Sequence, residues 1–338
     1  MTATKPLNSY LSRSPNDPRS LHSVPFLLAE ALVYLRYPRL IYNFHRRLGY
    51  WPRPLLPSRY HEKILWRKLF DHDPRFVTYS DKIAAKRRIS ARFPDIRVAR
   101  ILWEGADPSG LPETVLSGNR VLKANHGSNF NHFVFGSAPA TGEIRQALND
   151  WLLRTYGRKH HEWGYWNIPR KLFVEEMLTD RGKPSGTTYK MYVAGGEVHF
   201  AYAKVEGEAT NPRHAVFDAD GTSVEVLLDT DPELMSDPCQ TPPEWDRLVD
   251  AARRIGRDFD HVRCDLMVSE GDVCFSELTF YPYAGYDWID DLQLMTGLNA
   301  AWDLRKSWFL STRQVGWRGL YARHLKRRMD RAYAAEPS

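Results

Sequence analysis

The chain is expected to adopt an α+β fold, and three observations point to it. Residues 188–193 and 198–203 read as strands around Gly195-Gly196, a pair that supplies the positive φ a tight hairpin turn needs. Residues 261–268 and 273–280 form a second apolar strand pair around Glu270-Gly271-Asp272. Between the two hairpins, Leu248, Ala252, Ile255 and Phe259 repeat at helical spacing. Hairpins and helices in irregular order argue against a doubly wound parallel sheet.

Along the chain, residues 1–24 read as a polar tail. Residues 26–47 place Leu27, Leu32, Leu35 and Leu40 among Arg36, Arg39, Arg46 and Arg47, which predicts one or two basic amphipathic helices broken at Pro38. Residues 51–58, with three prolines, read as a linker. Ser80 is expected to cap a helix opening Asp81-Lys82-Ile83, and an alternating strand follows near 96–102. Val121-Leu122-Lys123 and Leu172-Phe173-Val174 are short buried strands, and Thr241-Pro242-Pro243-Glu244 reads as a capping box. Residues 305–331 are basic and helical. The expected organisation is an N-terminal tail with basic helices over 1–58, a catalytic domain over 59–300 with a smaller subdomain near 118–180, and a basic helical extension over 301–338.

Composition narrows the class of protein. Of 338 residues, 43% are hydrophobic, 13% aromatic and 26% charged, which is globular and excludes a disordered chain. A net charge of +6 favours acidic partners: nucleotides, anionic polymers or a membrane surface. Cys239, Cys264 and Cys274 show no CxxC spacing, which argues against a disulfide framework or zinc site and fits a reducing compartment. No secretory h-region is visible in residues 1–20, and charges and proline interrupt 26–42, so the expected location is cytoplasmic.

The second hairpin carries the sharpest chemistry. With a three-residue loop over 270–272, Asp265 would lie opposite Glu277 and Arg263 opposite Thr279. Two carboxylates so placed repel unless a cation sits between them or one is protonated, and hard oxygen ligands at that separation suit Mg²⁺. A solvated strand face of alternating charges explains the residues alone equally well. A two-residue loop would offset the pair by one. Lys123 leads into Ala124-Asn125-His126-Gly127-Ser128, where an ammonium, backbone N–H groups and a hydroxyl can cover phosphate oxygens. Lys82, at a helix start, opposes the helix dipole unless it has an anionic partner. Lys190 sits mid-strand, and the strand exit Val174-Glu175-Glu176-Met177-Leu178 can offer its backbone to an adenine edge.

In this order the motifs resemble the ATP-grasp superfamily, and more closely its TupA-like branch, named for teichuronopeptide biosynthesis. The resemblance also rests on Tyr60-His61-Glu62-Lys63, Trp66-Arg67-Lys68-Leu69, Val262-Arg263-Cys264-Asp265-Leu266 and Phe275-Ser276-Glu277-Leu278-Thr279-Phe280. It implies two α+β subdomains with ATP between their sheets. Lys82, Lys123 and Lys190 would reach the nucleotide, Ser128 would lie in a loop closing over it, and Glu175, Glu176 and Leu178 would line the adenine pocket. Asp265, Glu277 and Thr279 would hold Mg²⁺, with Thr279 standing where relatives often carry Asn. Arg263 and Lys190 would be catalytic in a carboxylate–amine ligase. The loop after Ser128, Asn129-Phe130-Asn131-His132, is poorer in glycine than in relatives, and for the ribose Asp180 is the acid at hand. Expected substrates are ATP, a carboxylic acid and an amine linked to a cell-surface polysaccharide, with contact to an anionic membrane through the basic ends. Alternatives are an ATP-dependent phosphotransferase or a glycosyltransferase-like enzyme of polysaccharide synthesis. A nucleic-acid-binding module is the non-enzymatic alternative. With no recognisable nucleic-acid motif, that partner is not expected.

Overall fold

The structure is a computed structural model that describes residues 24–136, 141–180, 183–184, 186–205, 213–226, 240–286 and 292–334. The expected N-terminal tail and Cys239 lie outside these residues, apart from Val24. The basic N-terminal stretch forms α1 (Val24–Arg36) and α2 (Pro38–Leu48), broken where expected because proline is tolerated only at a helix start.

The following proline-rich stretch is not a loose linker. The Glu62 carboxylate of α3 (Tyr60–Leu69) accepts from the backbone N–H of Arg53, Ser58 and Arg59 at 2.9, 3.0 and 3.2 Å, fixing it against the core. Charged residues of α3 are buried and paired: Lys63 donates to the carbonyls of Asn299 and Trp302, and Arg67 pairs with Asp260 at 2.5 Å. The helix is buried on nearly every side, and most of its polar groups find the partners that burial demands.

After α4 (Pro74–Ser80) comes α5 (Lys82–Arg92). Its cap is Asp81, not Ser80: the Asp81 carboxylate accepts from Ile83 and Ala84 N–H at 2.9 and 3.2 Å, while Ser80 ends the preceding helix. The strand expected near 96–102 divides into β1 (Arg97–Val98) and β2 (Ile101–Gly105), which join different sheets. Then follow β3 (Arg120–Ala124), β4 (Asn131–Val134), α6 (Thr141–Leu153), β5 (Leu172–Glu176), and the short pair β6 (Thr179–Asp180) and β7 (Lys183–Pro184). A four-stranded antiparallel sheet runs β2-β5-β3-β4. Leu122, Ala124, Leu172 and Val174 pack toward Ile144 and Leu148 of α6, so by alternation Lys123 and Glu175 face the other way.

The larger sheet comprises β8 (Thr187–Ala194), β9 (Glu197–Val205), β10 (Arg213–Asp218), β11 (Ser223–Val224), β12 (His261–Ser269) and β13 (Asp272–Thr279), with β1 added at its edge. Its seven strands run β1-β13-β12-β8-β9-β10-β11, and only β1 and β13 pair in parallel. Gly195 and Gly196 turn β8 into β9 at φ 65° and 91°. Helix α7 (Trp245–Gly256) lies between β11 and β12 in the chain; it starts after Glu244 without a side-chain cap, so the expected capping box does not form. Leu248, Ala252 and Ile255 of α7 pack with Met191, Val193, Cys264 and Leu266 on one sheet face. On the opposite face Tyr192, Phe200 and Tyr202 pack toward α3 and toward Leu298 of α8 (Leu292–Ala301). The chain ends in α9 (Trp308–Ser311) and α10 (Gly316–Ala334), of which Tyr321 and Leu325 join that core. Among the described residues Cys264 and Cys274 are free and buried, and no helix is long and apolar enough to cross a membrane.

Candidate active site

The carboxylate pair forms by a route different from the one anticipated. The turn between β12 and β13 is Glu270-Gly271, at φ 50° and 81°, and it pairs Ser269 with Asp272. That register alone would set Ser276 against Asp265. A β-bulge intervenes: Leu266 pairs with Phe275, Asp265 with Glu277, and Arg263 with Thr279. Ser276 is the extra residue, and it turns Glu277 onto the face of Asp265. Asp265 is also the register partner of Lys190 on β8, and Lys190 of Tyr202 on β9. One row across four strands therefore reads Tyr202, Lys190, Asp265, Glu277.

Each acid of this row has a cation. Arg263 donates to both Asp265 oxygens at 2.7 Å, and to Thr279 Oγ1 at 3.1 Å. Burial pushes the Asp265 carboxyl up, opposed by Arg263. Lys82 Nζ lies 2.5 Å from Glu277 Oε2, and Arg263 lies 3.9 Å from Oε1. Burial would raise the Glu277 carboxyl too, but Lys82, Arg263 and Lys123 outweigh it and hold it at about 2. Lys82 thus has the anionic partner that its place at a helix start calls for.

The smaller sheet supplies the facing wall. Glu175, buried, pairs with Lys123 at 2.5 Å and with Lys86 at 3.1 Å. Burial raises the Glu175 carboxyl, and the two lysines together bring it below its ordinary value. Glu175 therefore holds lysines with its side chain, while Glu176 turns away to Arg97 and Arg100 at 3.8 and 3.9 Å. Glu176 N–H donates to Arg100 O, Met177 N–H donates to Asn119 O, and Leu178 is half-buried. Asp180 lies on the short β6, paired with Lys183 in register.

Lys86 was not singled out from sequence, yet it completes the arrangement. It lies four residues after Lys82 and so on the same face of α5. One lysine reaches the larger sheet through Glu277, the other the smaller sheet through Glu175. The Lys82 N–H also donates to Asn125 O at 3.1 Å, tying α5 to the loop after β3. In that loop Asn125 is pinned by Pro169 and Lys171, and Ser128 is exposed beside Tyr156. A Cβ at Gly127 would come 2.7 Å from Phe130.

Lys190 Nζ contacts Tyr283 Oη at 3.2 Å and lies 5.1 and 5.3 Å from the ring centres of Tyr202 and Tyr283, which pack edge-on against each other. Lys82, Lys86, Lys123, Lys190 and Arg263 thus outnumber Glu175, Asp265 and Glu277 by five to three. Such an excess of positive charge attracts an anion with several charges. Asp265 and Glu277 are hard oxygen donors on register partners, the chemistry Mg²⁺ takes; here Arg263 and Lys82 hold them, and among the described residues no third acid, His or Cys joins them.

The profile of the TupA-like ATP-grasp family matches residues 62–295. The chain belongs to that family. Among solved structures, the ATP-grasp ligase PsnB complexed with a minimal precursor is similar at 16% identity and TM-score 0.38, over 68% of this chain and 64% of that one. D-alanine–D-alanine ligase from Bacillus anthracis complexed with ATP is similar at 13% identity and TM-score 0.37, over 66% and 64%. This TupA-like chain spans less than two thirds of the length of those two ligases. No curated protein matches it. Of the lysines expected near nucleotide, Lys82 stands on α5 and Lys123 on β3, and Lys190 joins from β8 in the row with Asp265 and Glu277.

Proposed function

We propose that the protein is an ATP- and Mg²⁺-dependent carboxylate–amine ligase acting through an acyl phosphate. The observation that carries this is α5, whose Lys82 and Lys86 hold one acid from each sheet where positive charge is in excess. ATP would lie between the sheets, its phosphates drawing on Lys82, Lys123 and Lys190, with its adenine toward 176–178. Asp265 and Glu277 would hold Mg²⁺, which supplies charge neutralisation at the transferring phosphoryl group.

The chemistry is mostly positioning. A substrate carboxylate oxygen bonds to the γ-phosphorus, and the bond from that phosphorus to the β-bridging oxygen breaks, releasing ADP. An amine then attacks the acyl carbon, inorganic phosphate leaves, and the amine loses a proton to form the amide. Arg263, buried and fixed by Asp265 and Thr279, offers a guanidinium that stays charged throughout, placed to meet the oxyanion that develops.

The acceptor is proposed to be a polysaccharide or its precursor. Supporting this, His160 lies against Tyr286 and His161 against Trp166, with Arg47 over Tyr286 and Arg158 over Trp166, rings and cations that suit an anionic sugar. The ends of the chain support peripheral contact with an anionic leaflet: Leu28, Leu32 and Leu35 are exposed on α1, and Arg323, Lys326 and Arg327 on α10. The deciding experiment is ADP release by the pure protein across a panel of amino acids, uronic acids and oligosaccharides, with product mass. An amide mass supports the ligase; a phosphorylated sugar replaces it with the phosphotransferase; no turnover with any acid–amine pair rejects it.

A further inference from the structure

Tyr283 and Ala284 both adopt left-handed backbone, at φ 44° and 55°. Consecutive non-glycine residues in that region are strained and persist only where the surroundings enforce them. Here α3 enforces them. Lys68, buried, donates from Nζ to Ala284 O at 2.6 Å, and its ammonium also lies 5.2 Å over the ring of Tyr286. At Gly285, φ 74°, a Cβ would come 2.4 Å from Ile64 Cγ2, so the turn lies flush on the helix.

The strained turn delivers one side chain to the site. Tyr283 Oη lies 3.2 Å from Lys190 Nζ, and its ring faces both Lys190 and the Arg263 guanidinium, at 5.3 and 5.7 Å. The Tyr202 ring packs edge-on against Tyr283 with centroids 6.3 Å apart, and the Lys190 ammonium sits over this ring pair, beside its register partner Asp265. The chain order of the motifs does not reveal this, because the turn has no periodicity.

We infer that Tyr283 is a positioning residue that fixes the Lys190 ammonium, and that the turn from Pro282 to Gly285 is held on α3 to place it. The functional weight of this rests on the ligase reading, in which Lys190 faces the transferring phosphoryl group.

The test separates the two claims. Trace acetic anhydride labels lysines in competition, and mass spectrometry reads Lys190 against Lys326, which is exposed. Loss of a hydrogen bond and one ring face should raise the relative rate at Lys190 about tenfold in Tyr283→Ala, and about threefold in Tyr283→Phe. Tyr283 is 39% exposed, so both variants should fold, as circular dichroism would verify. Wild-type labelling rates in both variants would overturn the inference. Calorimetry with Mg–AMPPNP judges the other claim: no binding by the wild-type protein rejects the nucleotide site, while the labelling ratio still decides the role of Tyr283.

Discussion

Replacing Glu175 by Gln probes the link between α5 and the smaller sheet. The carboxylate is buried between Lys123 and Lys86, and Lys86 is itself buried. Breaking a buried ion pair from one side costs roughly 3–5 kcal/mol. Gln keeps one acceptor oxygen, which recovers about 1 kcal/mol, so the expected net loss is about 2–4 kcal/mol. The loss depends on pH with a definite sign. Glu175 titrates below its ordinary 4.5 in the folded protein, so its contribution is complete above the unfolded value and lost as pH falls through the folded one. The gap between wild type and variant should therefore close as the pH drops below about 4.5. Nucleotide adds a second reading. A nucleotide concentration a hundredfold above the wild-type Kd stabilises the wild type by about 2.7 kcal/mol, and at that same concentration a variant whose lysines have lost a competing carboxylate should gain more. Urea unfolding at pH 7 and pH 4, with and without Mg–AMPPNP, measures all of this. An unchanged midpoint at pH 7, or a nucleotide-induced gain no larger than in the wild type, would refute the reasoning.

Further expectations concern single residues. Asp265→Asn and Glu277→Gln should each abolish substrate-dependent ADP release while leaving circular dichroism unchanged; wild-type-like turnover in both removes the metal assignment. Lys86→Met should leave Glu175 to Lys123 alone, drawing that ammonium from phosphate and weakening Mg–AMPPNP about tenfold by calorimetry, roughly 1.4 kcal/mol. Ala284→Gly should relieve left-handed strain and raise stability by about 1 kcal/mol in urea; a loss of stability would show that the turn is not strained. A vesicle co-sedimentation assay should retain the wild-type chain on anionic lipid and lose most of it when the exposed Arg323, Lys326 and Arg327 are replaced by Gln; equal binding removes the membrane contact.

Alternation along strands and the spacing of α7 made the architecture legible, because these follow from which face of each element must be buried. The Asp265–Glu277 pairing was legible only in outcome. Sequence pointed to a longer loop, whereas the molecule uses a two-residue turn and a bulge at Ser276, and bulges leave no periodic signal. The cap of α5 was read one residue early, since Ser80 and Asp81 are both competent caps and only the position of the preceding α4 decides between them. Lys86 could have been found: it stands four residues from Lys82, and a second lysine on that face of a helix implies a second acid. The stretch after Trp51 looked like a linker because its prolines are visible while its partner, Glu62, sits in another motif. Tyr283 was out of reach, as its placement comes from a strained turn that Lys68 holds from over two hundred residues earlier.

The most direct test is equilibrium binding of AMPPNP to the wild-type protein and to Glu277→Gln, each with and without Mg²⁺. Mg²⁺ should tighten binding at least tenfold in the wild type and hardly at all in the variant. Equal tightening in both proteins, or no nucleotide binding by the wild type, would contradict the site described between the two sheets.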